Sequence, residues 1–176
     1  MKKIISKKTI AVIMALAFVA AGATTSLAKN QDNYYVSGSM GINFDSGTDI
    51  DDIDIDDGWQ GSIAIGNKLS EKIRIEAEYQ YLDNDDDLDI NSLMANGYYD
   101  IVKFGKFTPY LTTGIGIGWF DSDDFGSETS MVWKMGAGVD YEINKDWSAG
   151  VRYTYLDANE VDYDSNLVSA VITYNF

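Results

Sequence analysis

The sequence predicts an all-β chain: an eight-stranded antiparallel up-and-down transmembrane β-barrel that follows a cleavable signal peptide. Three observations carry this expectation. Residues 1–28 have the layout of an export signal, period-two alternation recurs in eight segments, and that alternation sets large apolar side chains against charged or small ones.

Composition narrows the field first. At 176 residues the chain holds one domain plus a targeting segment. With no Cys and no His, disulfide frameworks, structural zinc, haem attachment and every nucleophile-plus-histidine mechanism are excluded. Thirteen Lys plus Arg against 28 Asp plus Glu give a net charge of −15, which repels a phosphate backbone and excludes nucleic acid as a partner. Twelve Tyr, four Trp and 16 Gly point to an aromatic-rich β protein, not an acidic disordered tail.

Lys2, Lys3, Lys7 and Lys8 form a positive start, Ile10 to Ala23 is an apolar run, and Ser26-Leu27-Ala28 supplies small residues for cleavage. The run is shorter than the roughly 18 to 20 residues a spanning helix needs. The domains are therefore expected to be a signal peptide, 1–28, and a barrel, 29–176.

The strands follow in order. The first, Asn33 to Phe44, sets Tyr34, Val36, Met40, Ile42 and Phe44 against Ser37, Ser39 and Asn43. The second, Gly58 to Gly66, alternates Trp59, Ile63 and Ile65 with Gln60 and Ser62. The third opposes Ile73, Ile75, Ala77, Tyr79 and Tyr81 to Lys72, Arg74, Glu76, Glu78 and Gln80. The fourth, Ile90 to Ile101, places Leu93, Ala95 and Tyr99 opposite Ser92, Asn96, Tyr98 and Asp100. In the fifth, Thr108 to Phe120, Gly114, Gly116 and Gly118 leave room inside a narrow barrel. The sixth, Thr129 to Tyr141, sets Met131, Trp133 and Met135 against Ser130, Lys134 and Asp140. The seventh, Trp147 to Leu156, carries Arg152 and Thr154 on its polar face, and the eighth runs from Asn166 to Phe176. A soluble barrel would have to pack every one of these large apolar residues inside, which overfills an eight-stranded interior. The apolar face is therefore expected to meet lipid, with Tyr34, Trp59, Tyr81, Trp119, Tyr141 and Trp147 in two aromatic girdles.

Charge is sorted by end. Four connections expected to be long, Asp45 to Asp57, Asp83 to Asp89, Asp121 to Glu128 and Asp157 to Ser165, carry many acids and not one Lys or Arg. The short turns hold Lys68, Lys103, Lys106 and Lys145 instead. Even strand number with long loops at one end puts both barrel termini in the periplasm. Asp52, Asp54, Asp56 and Asp57 offer a possible divalent-cation loop, because hard cations prefer carboxylate oxygens. It is not an EF-hand: the sixth position is Asp57 where Gly is required, and the twelfth is Ile63 where Glu is.

Lys72, Arg74, Glu76, Glu78, Asp100, Lys134, Asp140 and Arg152 are expected to face the lumen as an ion-pair network that plugs it. Neither a catalytic pair nor a cofactor is expected. Gly114-Ile115-Gly116-Ile117-Gly118 reads as strand, since no helix follows it as a nucleotide loop requires.

Asn96-Gly97-Tyr98-Tyr99-Asp100, Phe107-Thr108-Pro109-Tyr110-Leu111, Gly136-Ala137-Gly138-Val139-Asp140-Tyr141, Arg152-Tyr153-Thr154-Tyr155 and terminal Phe176 together resemble the outer-membrane protein β-barrel domain of the opacity-protein and surface-antigen type. That domain is similar to the transmembrane domain of outer-membrane protein A. The resemblance spans Asn33 to Phe176. It implies an eight-stranded barrel inserted by the outer-membrane assembly machinery through a C-terminal strand ending in Phe176; a monomer among outer-membrane lipid and lipopolysaccharide is expected. The resemblance covers adhesins, minor porins and structural proteins and does not choose among them; the acidic loops lead us to expect a structural or surface-interaction role through those loops, with a low-conductance porin for small solutes as the alternative.

Overall fold

The computed structural model describes residues 33–45, 58–84, 88–122, 126–158 and 163–176. The expected signal peptide and the residues Asp52, Asp54, Asp56 and Asp57 lie outside them. Eight strands make up the described chain: β1 (Tyr34–Asp45), β2 (Gly58–Lys68), β3 (Ile73–Asn84), β4 (Leu88–Asp100), β5 (Phe107–Ser122), β6 (Gly126–Glu142), β7 (Trp147–Ala158) and β8 (Tyr163–Asn175). Each pairs antiparallel with the next, and β1 closes on β8 from Tyr35↔Asn175 to Asp45↔Ser165. Closure satisfies the strand edges internally, which is what a sheet needs in order to stand in lipid.

The side-chain parity is the one the alternation predicts. Leu93, Leu111, Ile115, Ile117, Met131, Val151 and Ile172 are exposed on the outer wall. Gln60, Arg74, Glu76, Glu78, Gln80, Asn96, Lys134 and Arg152 are buried inside. A continuous apolar exterior of this extent would drive association in water and is stable against acyl chains. Aromatic pairs mark both rims of the band: Trp59–Tyr81 and Trp133–Tyr155 at one end, Phe107–Tyr141 and Trp147–Tyr174 at the other, with ring centroids 4.9–5.8 Å apart.

The turns at the end holding both barrel termini are built by local chemistry. Ser70 Oγ accepts from the amides of Lys72 and Ile73, and Asn144 Oδ1 accepts from those of Asp146 and Trp147. Between β4 and β5, Phe104 and Phe107 exchange backbone hydrogen bonds of 2.8 and 3.0 Å around Gly105, whose φ of 60° suits glycine.

At the opposite end the structure corrects the expected loop lengths. The ladders run on to Asn84↔Leu88, Ser122↔Gly126 and Ala158↔Tyr163, so only 85–87, 123–125 and 159–162 connect those strands. The segment 46–57 alone remains long. The reason is that many of the acids are strand residues. Asp83 pairs with Asp89 and Asp157 with Asp164, while Leu82 pairs with Ile90 and Val132 with Ala158. Beyond the aromatic girdle the alternation therefore inverts, with acids on the wall and apolar residues within.

Candidate functional site

The lumen is layered. Nearest the tight turns, Arg74 donates to Asp100 Oδ1 through Nη2 at 2.7 Å and Nε at 3.1 Å, and its Nη2 lies 3.3 Å from Asp140 Oδ2. Its guanidinium lies against both the Tyr98 and Tyr110 rings, 4.9 and 5.0 Å from their centroids, which are themselves 5.5 Å apart. Tyr98 links this layer to the next: its hydroxyl donates to Glu76 Oε2 at 2.6 Å and accepts from Arg152 Nη1 at 2.6 Å.

Glu78 is the hub of the middle layer. Lys134 Nζ and Asn96 Nδ2 both donate to its Oε2, and Arg152 Nη2 stands 3.6 Å from its Oε1. The carboxylate is 1% exposed and Lys134 3%. Gly114 makes this arrangement possible, because a Cβ there would collide with Asn96 Oδ1. On the β1–β2 side, Gln60 Nε2 donates to Ser169 Oγ at 2.6 Å, Gln80 Nε2 donates to Gln60 Oε1, and Ser39 and Ser62 share a hydrogen bond.

Above the charges sits an apolar plug. Leu82, Ile90, Met94, Val132, Leu156, Ala158 and Leu167 form one cluster, each 0–2% exposed. Burying each of the larger members contributes about 1.5–3 kcal/mol. The sequence reading missed it, although the signal was present: these residues share parity with Gln80, Ser92, Lys134 and Thr154. It missed Tyr98 and Tyr110 as parts of the network for the same reason.

Seven of the eight residues expected in the lumen are there. Lys72 is not. The Ser70 turn starts β3 at Ile73, and Lys72 stands exposed at the mouth. There, Lys68, Lys72, Lys103 and Lys145, with Glu71 and Glu142, line an open vestibule of about 710 Å³ floored by Tyr35, Arg74, Asp100 and Asp140. Lys68 Nζ donates to Asn175 Oδ1 at 2.7 Å. On the rim, a hydrogen bond from Lys103 holds the Glu142 carboxyl below the usual carboxylate range. Phe176 follows β8 directly and is half-buried.

A closed barrel with a charged interior and a girdled apolar exterior is thus established from the geometry. Residues 11–176 match the outer membrane protein β-barrel domain. The chain belongs to that family. Its place is the bacterial outer membrane, among lipid and lipopolysaccharide. The outer membrane protein PagN of Salmonella typhimurium is 27% identical to it over 90 residues, which are 44% of this chain and 38% of PagN. The match thus spans under half of that curated relative. Among solved structures, Neisserial surface protein A is similar in fold at a TM-score of 0.66 and 20% identity, over 81% of this chain and 97% of that one. The outer membrane enzyme PagL is similar at 0.53 and 16%, over 81% and 99%.

Proposed function

We propose that this member of the family is a non-enzymatic surface-interaction barrel, closed to solutes, that presents acidic residues to a partner outside the cell. The observation that carries this reading is the apolar plug: it lies beyond the Glu78 layer and leaves the exterior end as the surface available for encounter. An enzyme shares the fold, so architecture alone does not decide against catalysis. Composition weighs on that point, because a chain with no His and no Cys can build neither a histidine-activated nucleophile nor a thiolate.

The exterior acids are held in place in part. Trp59 Nε1 donates to Asp83 at 2.9 Å, Tyr81 to Asp89 at 2.9 Å and Trp133 Nε1 to Asp157 at 3.0 Å. They stand on a negative rim, and the sequence supplies further acids, Asp52, Asp54, Asp56 and Asp57, in the segment that joins β1 to β2; such a charge suits basic partners and divalent cations that bridge to lipopolysaccharide phosphates. One variant tests both roles: Asp to Asn at positions 49, 51, 52, 54, 56 and 57. Cells carrying the wild-type protein are expected to adhere to a host-cell monolayer several-fold better than cells carrying the variant, and purified wild-type protein to release or absorb heat on titration with Ca²⁺. Equal adhesion at equal levels of folded barrel would contradict the partner role, and absence of heat would remove the cation role.

The second reading, a low-conductance porin, is favoured by the periplasmic vestibule, which opens onto Arg74. It requires both the Glu78 layer and the apolar plug to part.

A further inference from the structure

Among the described residues five lysines stand at the periplasmic end, and four of them line the vestibule: Lys68, Lys72, Lys103 and Lys145. Lys106 does not. Its Nζ lies 5.6 Å from the ring centroid of Tyr141 and donates to the carbonyl of Ile143 at 3.3 Å. Tyr141 belongs to the outward-facing girdle and pairs with Phe107, with the two centroids 5.0 Å apart. The ammonium is therefore held on the outer wall of the barrel, at the level where lipid headgroups begin.

The local backbone fixes it there. The Phe104–Phe107 hairpin is closed by its own two hydrogen bonds, and the carbonyl of Lys106 accepts from the Glu142 amide at 2.8 Å. Phe104 is 65% exposed and Phe107 52%, on either side of the lysine in sequence. Among the described residues Lys106 makes no contact ion pair; Glu142, one residue beyond Tyr141, is near enough to feel its charge but is hydrogen-bonded to Lys103. A cation held this way beside exposed aromatic rings at a bilayer boundary matches a phosphodiester whose acyl chains lie against those rings. Charge complementarity chooses the leaflet: the periplasmic end bears the lysines, and that leaflet carries anionic phospholipids.

We propose that Lys106, with Phe104, Phe107 and Tyr141, is a binding site for the headgroup phosphate of an anionic phospholipid in the periplasmic leaflet. The site makes no demand on what the exterior acids meet. It also gives the barrel a fixed depth, since headgroup and girdle are engaged together.

Trp147 is the natural reporter. It stands in the same girdle, and its carbonyl accepts from the Ile143 amide beside Lys106. The full chain with Trp59, Trp119 and Trp133 replaced by Phe is reconstituted in phosphatidylcholine vesicles that contain either brominated phosphatidylglycerol or brominated phosphatidylcholine. Quenching of Trp147 is expected to give an apparent preference for phosphatidylglycerol of about fivefold. Lys106→Gln should abolish it, while Lys106→Arg and Lys72→Gln keep it. Equal quenching by the two lipids, or a preference that survives Lys106→Gln, would overturn the proposal. If the three-Phe background does not fold, the same preference is read in the otherwise unaltered chain from the relative association of spin-labelled lipids. There too, a preference lost in Lys106→Gln supports the site, and equal association or a preference that survives the substitution overturns it.

Discussion

Replacing Glu78 with leucine is expected to lower the unfolding free energy of the barrel by about 3–5 kcal/mol, read as a shift of the urea midpoint in phospholipid vesicles. The side chain is 1% exposed and accepts from Lys134 and Asn96, with Arg152 beside it. Removing it leaves two buried cations without their shared counter-charge. Arg152 keeps Tyr98, but Lys134, at 3% exposure, has no other carboxylate within ion-pair distance among the described residues. The double variant Glu78→Leu with Lys134→Leu should recover part of the loss, because it removes both members of the closest pair. A single-variant loss below about 1 kcal/mol would mean that water reaches the layer and solvates the orphaned charges.

The second large effect is on the outer wall. Ile115 is 54% exposed near the middle of β5, between the outward neighbours Ala95 and Trp133. Ile115→Arg is expected to destabilise the barrel by about 2–4 kcal/mol in a bilayer, whereas Thr129→Arg, exposed beyond the girdle, costs about 0–1 kcal/mol. A soluble barrel would tolerate both within about 0.5 kcal/mol, as ordinary surface positions do. The difference between the two variants thus reports the membrane band itself, free of any change in the lumen.

Strand number, order and parity are legible because lipid imposes one sign of alternation over the whole membrane band. From Ile73 to Tyr81 no residue breaks it. Legibility fails where that constraint ends. Above the girdle, Asp83 and Asp89 face water and Leu82 and Ile90 face inward, so a pattern that reads as an acidic loop is a strand with reversed sides. Running the β3 alternation one residue past the start of the strand puts Lys72 inside, whereas the Ser70 hydroxyl turns the chain there. The charges of the lumen are visible in the sequence, but their partners are not. Which acid meets Arg74 depends on the closure of eight strands, which brings Asp100 from the adjacent β4 and Asp140 from β6, three strands away, to one guanidinium.

The central claim is a lumen closed twice, by the Glu78 charge layer and by the apolar plug above it. Recording of the purified protein in a planar lipid bilayer tests it directly. The expected record for the folded wild-type barrel has no unitary current steps, and Glu78→Leu should remain silent as well, since the plug of Leu82, Ile90, Met94, Val132, Leu156, Ala158 and Leu167 stays in place. Reproducible steps of one size from the wild-type protein would contradict a closed lumen and establish the porin reading in its stead.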